Sequence, residues 1–287
     1  MITLPRVTPG GGLLAIIGQI LATIRAEIVM QWRRWGFWLA FAIVMALLLF
    51  LTLQAGIYLL HLPPTSLYVR EHFSAADLVN IMILGTTIYG SMFFVLIASL
   101  LVVDRMVRDR RLGVTELQQT APMGHARYVL GKFLGNYLAV FVPALLGYLI
   151  CGAAALVLGW PAEILLKFLL SFALVFIPAS LAALGLTFLL ATFLPLRVVQ
   201  VGFSLLWLYF NTGLGIYGFG SSIFNPGGLY ILPVFFPTSR PMPSLVKMDP
   251  SLQMALLNIA VLLLTSLATL CLTYASLVWQ QRRGEQA

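Results

Sequence analysis

The residue types that usually carry chemistry are sparse in this chain and poorly spaced for it. Its three histidines, His61, His72 and His125, fall in connections between apolar stretches and suit solvated or interfacial roles. Cys151 and Cys271 each sit in an apolar run with no histidine or acidic neighbour at ligand spacing, so they read as small packing residues, neither a zinc site nor a disulfide framework. Gly220-Ser221-Ser222 is reminiscent of an intramembrane serine nucleophile, which needs a base, and no histidine follows on a later span. A phosphate-binding loop needs Gly-x4-Gly-Lys-Ser/Thr; Gly131-Lys132 is followed by Phe133, with Ala126 where the first glycine belongs. His-Glu-x-x-His is absent. The expectation is no catalytic residue, no metal and no cofactor in this chain.

Charge gathers in one place. Residues 104 to 132 run from Asp104-Arg105 through Arg108-Asp109-Arg110-Arg111-Leu112-Gly113 to Glu116-Leu117, then Pro122 and Gly131-Lys132. Such density beside a membrane span suits a short amphipathic helix whose Met106, Val107, Leu112, Val114 and Leu117 face lipid or a protein groove, with Pro122 and Gly124 as stop and turn. A solvated loop is the plainer alternative. The second candidate is 218–253. Its Tyr230 to Pro237 stretch is apolar but too short to span, and prolines at 233, 237, 241 and 243 forbid a long helix. It reads as a re-entrant or interfacial cap on the extracellular side, with Tyr230, Pro233, Phe235 and Phe236 as a candidate gate and an inert packed loop as the alternative.

The elements that must position these segments follow from composition. Hydrophobic residues make up 61% and charged residues 9% of 287, against roughly 45–50% and 25% in soluble domains. That excludes a soluble enzyme, a disordered protein and a nucleic-acid-binding domain despite a net charge of +8. An apolar helix crosses the hydrocarbon core in about 20 residues. The charge-free runs predict an all-α polytopic membrane protein with six transmembrane helices near 35–60, 78–103, 130–158, 165–192, 198–217 and 254–279. They form a single transmembrane domain, 35–281, with a cytoplasmic segment, 104–127, between spans two and three and a short tail at 282–287.

Residues 1–34 form a tail and an N-terminal interfacial helix, because Leu13, Ile16, Ile17, Ile20, Leu21, Ile24 and Ile28 recur at helical spacing and no small-residue cleavage site follows them. A longer, tilted first span is the alternative. Trp32, Trp35 and Trp38 with Arg33 and Arg34 mark the turn into the bilayer. Gly131-x3-Gly135 and the Ala179/Ala183 pair permit close helix approach, and Pro143 and Pro178 each remove a backbone hydrogen bond in mid-span. Asn80, Thr86, Thr87, Tyr89, Tyr209, Asn211 and Thr212 either line a pathway or bond between helices.

Alternate connections carry 13 and four basic residues, which predicts that both termini lie in the cytoplasm; the expected membrane is the plasma membrane. The 13 are accompanied by five acidic residues and the four by four, so the whole +8 lies on the cytoplasmic side and is an orientation signal.

The 104–132 segment resembles that of the six-span permease subunit of type-2 ABC exporters. In that family a charged stretch after the second span leads into Gly-Thr-x-Glu, then a proline nine residues after the glycine, then Gly-Lys at the third span. Here Asp109 and Arg110 stand in the charged stretch, Gly113 and Glu116 keep the spacing, Pro122 falls nine after Gly113, and Gly131-Lys132 falls nine and ten after Pro122. Val114-Thr115 departs from the usual order, and Gln118-Gln119 stand where leucines are common. The resemblance implies a coupling helix docking into a separate cytoplasmic ABC ATPase, which holds the Mg-ATP, with a second permease copy or paralogue completing the exporter. Docking would fall to Asp109, Arg110, Arg111, Leu112, Gly113, Glu116 and Leu117, charge pairs setting register and apolar residues burying the contact. Membrane lipid is the remaining partner; nucleic acid is not one. A non-transporting membrane scaffold or anchoring subunit is the rival reading. A secondary transporter ranks third, because the predicted spans hold no ionisable residue at mid-membrane for ion coupling, Lys167 and Arg197 lying near span ends.

Overall fold

In lipid a chain must satisfy its backbone polar groups within itself, so long apolar stretches become helices. The structure, a computed structural model, describes residues 13–60, 73–111, 124–211, 223–239 and 251–284, and among them regular structure is helical throughout. In chain order the elements are α1 (Leu13–Trp32), α2 (Trp35–Leu60), α3 (Ala75–Arg111), α4 (His125–Val157), α5 (Glu163–Ser171), a π-helical segment (Phe172–Phe176), α6 (Ile177–Phe193), α7 (Leu196–Asn211), the single turn α8 (Leu232–Phe235) and α9 (Leu252–Gly284).

Six stretches among the described residues are long and apolar enough to cross a membrane: Leu14–Trp32, Trp35–Leu59, Ala75–Asp104, Ala126–Val157, Glu163–Phe193 and Leu252–Gln280. The expected fifth span is seen as α7, 16 residues long, and its remainder from 212 lies outside the described residues. α3 differs from its expected end. It runs on as helix past Asp104 to Arg111, into the charged run.

Local chemistry sets the joints. α4 ends in a Schellman turn: Gly159, at φ +92°, donates to Leu156 O, and Trp160 donates to Ala155 O. The chain then reverses over Pro161 into α5. Between α5 and α6 the amide of Ile177 reaches back five residues to Phe172 O, a wide turn directly before Pro178. Proline has no N–H and its ring crowds the carbonyl four residues back, so a wider turn accommodates it there. Pro143 is carried inside α4 without ending it.

The packing register follows from named contacts. α1 lies parallel to the first half of α4: Arg127 donates to Gln19, Gly131 faces Thr23, Gly135 faces Glu27, and the Trp32 indole donates to Ala139 O. α2 follows along the second half, with Met45 at Gly147 and Gly56 against Leu158 and Trp160. The two helices thus occupy successive stretches of α4. α3 runs antiparallel to α2, from the Thr52–Thr86 hydroxyl pair at 3.2 Å to the Arg34–Asp104 ion pair. α7 runs back along α3, its Trp207 indole donating to Met92 O. α9 runs parallel to α6, with Gly185 against Ser266 and Thr269 and with Gln280 donating to Thr192 O.

Dispersion packing and close backbone approach hold such helices together, because lipid tails are as apolar as leucine. The glycines at 131, 135, 147 and 185 stand at these seams. α3 is the central helix, packed by α2, α4, α6 and α7. One buried aromatic chain crosses the core, from Phe41 to Phe94 and Tyr148, then Phe172 and Phe176, with ring centroids 4.7–6.5 Å apart. The bundle end that carries the charged run is called the inner end below, and the opposite end the outer.

Candidate functional site

Two places were expected to act, one at each end. At the inner end α3 delivers the charged run as a continuation of a span. Asp109, Arg110 and Arg111 stand on its last helical turn, while Leu112, Gly113, Glu116 and Leu117 lie outside the described residues. Just before them Asp104, one-third exposed, pairs with Arg34 at the α1–α2 turn and ties that turn to α3.

Beside this stands a cluster the charge-free runs did not reveal. Lys132, expected at the edge of a solvated connection, is 1% exposed and lies 3.4 Å from Glu27, itself 4% exposed. Asn136 donates to Glu27 at 3.3 Å and to Lys132 O at 2.8 Å, and Gln31 donates to Asn136 at 2.7 Å. The ammonium also lies 5.3 Å from the centre of the Tyr128 ring. Gly131 and Gly135 make this possible. A Cβ at Gly135 would stand 2.7 Å from Glu27 Cβ and 3.0 Å from Ile24 O, so any larger residue would push α1 away. The Gly-x3-Gly signal was legible; its partner, more than a hundred residues earlier, was not.

At the outer end the described part of the cap, 223–239, folds down among the helix ends. Asn225 accepts from the amides of Gly227 and Leu229, closing a turn that Gly228 completes at φ +77°. Gly228 packs on Val175, about 18 Å along the helix from Glu163 at 1.5 Å per residue. The bottom of the segment therefore sits roughly three turns below the outer start of α5. Both arms are anchored. Asn258 of α9 donates to Ile223 O at 2.6 Å and Asn225 O at 3.0 Å. Asn80 of α3 donates to Pro237 O at 2.7 Å, and Asp77 accepts from the Ser239 amide at 2.8 Å and hydroxyl at 2.7 Å.

The four expected gate residues share this segment but not one environment. Tyr230 and Phe236 are buried, Phe236 at 1% exposure beside Ile231 and Leu232 in the main core, whereas Pro233 and Phe235 on α8 are half-buried. Pro233 sits in the first turn of α8, where its missing N–H costs nothing.

Asp77 and Asn258 were missed as anchors, although one signal was available. Ser74-x-x-Asp77 is a capping box, and it forms: Ser74 N–H donates to Asp77 and the Asp77 amide to Ser74 Oγ. The tie of Asp77 to Ser239 has no local signature. Lys167, one turn into α5, bonds Asn80 at 2.9 Å and Glu163 at 3.1 Å.

The other polar residues divide. Thr86 pairs with Thr52, Asn80 belongs to the cap anchor, Asn211 is buried with its amide donating to Trp207 O, and Tyr89 and Tyr209 are exposed. Thr212 lies outside the described residues. Hydroxyls on the buried face of α9 bond largely to their own helix: Thr269 and Thr273 donate to carbonyls three or four residues back. Among the described residues no group of three or more His, Cys, Asp or Glu side chains could hold a metal, and both cysteines are free. What the geometry offers is mechanical: a central rod, an ion-paired inner seam and an anchored outer plug.

A family model described as "ABC-2 family transporter protein" matches residues 63–275. No curated protein matches the chain.

Proposed function

The chain belongs to the ABC-2 transporter family as a permease-type, multi-pass membrane subunit, and on that premise we propose that it forms the translocation pathway of an ATP-driven exporter powered by a separate cytoplasmic ATPase. A permease component of this family does not itself hydrolyse ATP, so the Mg-ATP belongs on the partner. The observation that carries the proposal is α3. A single helix of 37 residues leaves the apolar bundle and continues into the charged run, so force applied to that run reaches a span without an intervening loop.

In this reading Asp109, Arg110, Arg111, Leu112, Gly113, Glu116 and Leu117 dock into the ATPase, and two permease copies or paralogues complete the exporter. The spans are α2, α3, α4, α5 with α6, α7 with its continuation, and α9. α1 is assigned to the inner membrane boundary, standing beside the inner half of α4. It precedes α2 in series along α4, and α2 alone, at about 39 Å, exceeds a hydrocarbon core of about 30 Å. Segment 223–239 is the extracellular gate, plugging the outer end through Tyr230, Pro233, Phe235 and Phe236. Both termini are cytoplasmic in this reading, as the distribution of Lys and Arg supports, and the membrane is assigned as the plasma membrane.

The test is co-purification. A tagged chain expressed with its genomic neighbours should bring down a soluble protein carrying Gly-x4-Gly-Lys-Ser/Thr, with ATP hydrolysis. Glu116→Arg should abolish both while leaving membrane insertion intact. Unchanged co-purification would remove the docking assignment, and a chain that never recruits an ATPase would favour the scaffold reading.

A further inference from the structure

The outer segment is tied to two helices that lead to different places. Its first arm hangs from α9 through Asn258. Its last arm is held by the first two turns of α3. Asp77, 4% exposed, accepts from the Ser74 amide and hydroxyl, both at 2.8 Å, and from the Ser239 amide and hydroxyl, at 2.8 and 2.7 Å. The carboxylate is thus shared between a cap that belongs to α3 and a loop that does not. Bonds to an ionised acceptor at these lengths are stronger than neutral ones, and their strength falls steeply as the geometry is drawn out. One turn on, Asn80 is oriented by Lys167 and donates to Pro237 O.

The same α3 extends without a proline from Asp77 to Arg111 at the inner end, about 51 Å away at 1.5 Å per residue. The helix is continuous through Gly90-Ser91, the one place where a kink is common, so both ends belong to one element.

We propose that Asp77 is the positioning residue that latches the outer segment to α3, so that a displacement of α3 at its inner end is read directly as release of the Ser239 arm. The α9 arm stays in place and acts as the hinge. This inference rests on the gate reading of 223–239 and adds which helix operates the gate and through which group. The arrangement suits the task because release does not strip the buried carboxylate of partners: Asp77 keeps both Ser74 bonds, and water can replace the exposed Ser239.

The experiment uses the full chain with its co-purified ATPase in proteoliposomes. Val234→Cys is the reporter in a background of Cys151→Ala and Cys271→Ser, labelled by a membrane-impermeant maleimide with and without Mg-ATP. The parent should label slowly without nucleotide and faster during turnover. Asp77→Asn should raise the nucleotide-free rate about tenfold, the factor expected from losing one charge-assisted bond, and make labelling independent of nucleotide. Ser239→Ala, which removes only the hydroxyl donor and leaves the Asp77 cap intact, should do the same to a smaller degree. A second reporter at Ala155→Cys, buried near the far end of α4, should stay equally protected in all variants; a merely structural defect would expose it too.

If Asp77→Asn and Ser239→Ala both keep the parent's slow, nucleotide-dependent labelling, the latch is wrong while the gate stands. If the parent's reporter is itself indifferent to turnover, and an Asp77→Cys/Ser239→Cys cross-link leaves transport-coupled ATPase activity unchanged, the gate reading fails and takes the latch with it.

Discussion

The two ends of this bundle solve the same problem in opposite ways. Each gathers polar side chains in a molecule that has few, and each uses them to hold an extra piece against the central helices. At the inner end Glu27 and Lys132 join two helices, α1 and α4, through a pair with almost no access to solvent. At the outer end Asp77 joins a helix to a loop through neutral donors, and Lys167 and Glu163 beside it are partly exposed. A charge pair removed from solvent cannot be separated without stranding a charge, whereas a carboxylate bonded to a serine near the surface can exchange that partner for water. The inner cluster is built as a weld and the outer as a catch.

Several substitutions would break or sharpen that contrast, and the largest effect belongs to the weld. Lys132→Ala should destabilise the chain by about 3–5 kcal/mol, because it removes the cation that compensates the buried Glu27 carboxylate. A fall in the detergent-solubilised melting temperature would register it. Combining Lys132→Met with Glu27→Gln should recover most of the loss, and a double variant as unstable as Lys132→Ala would show that the pair is not the source.

Next comes the seam that admits the pair. Gly135→Val should cost about 1–3 kcal/mol and loosen α1, since its side chain would overlap Glu27 and the Ile24 backbone. Faster proteolysis within 13–34 is the measurement; an unchanged cleavage pattern would mean α1 is held elsewhere.

At the outer end Asn258→Ala removes the donor to two carbonyls and should cost about 2 kcal/mol, seen as proteolysis within 223–239 with the rest of the bundle intact. Lys167→Ala should cost about 1 kcal/mol, most of it the bond to Asn80, because its ion pair with the more than half-exposed Glu163 is solvent-screened. If Lys167→Ala cost as much as Lys132→Ala, the distinction between weld and catch would collapse.

Much of the architecture was legible in the sequence. The limits of the apolar helices fell close to the ends of several charge-free runs. The runs misled at Lys132. Treating every lysine as the edge of a span assumes that charge means solvent, and the buried pair with Glu27 breaks that assumption, so α4 begins at His125. They were silent at Asp104 for the converse reason: helical backbone hydrogen bonds do not need an apolar surface, and α3 simply continues. Of the expected site residues, those of the outer segment proved to be two buried and two half-buried side chains, a split no periodicity in so short a stretch could reveal.

What the sequence determined alone is the membrane class, the placement of the apolar helices and the lack of a phosphate-binding loop. These rest on properties each segment carries by itself: transfer into lipid is a sum over the residues of one helix, and a missing motif is missing locally. Only the tertiary structure decided that Glu27 meets Lys132, that Asn258 and Asp77 hold the two arms of the outer segment, and that α3 is central. Those facts depend on residues about 30 to 160 positions apart being brought within hydrogen-bond range. That approach is set by which small residues let which backbones close together, and it is a property of pairs of helices that no single helix encodes.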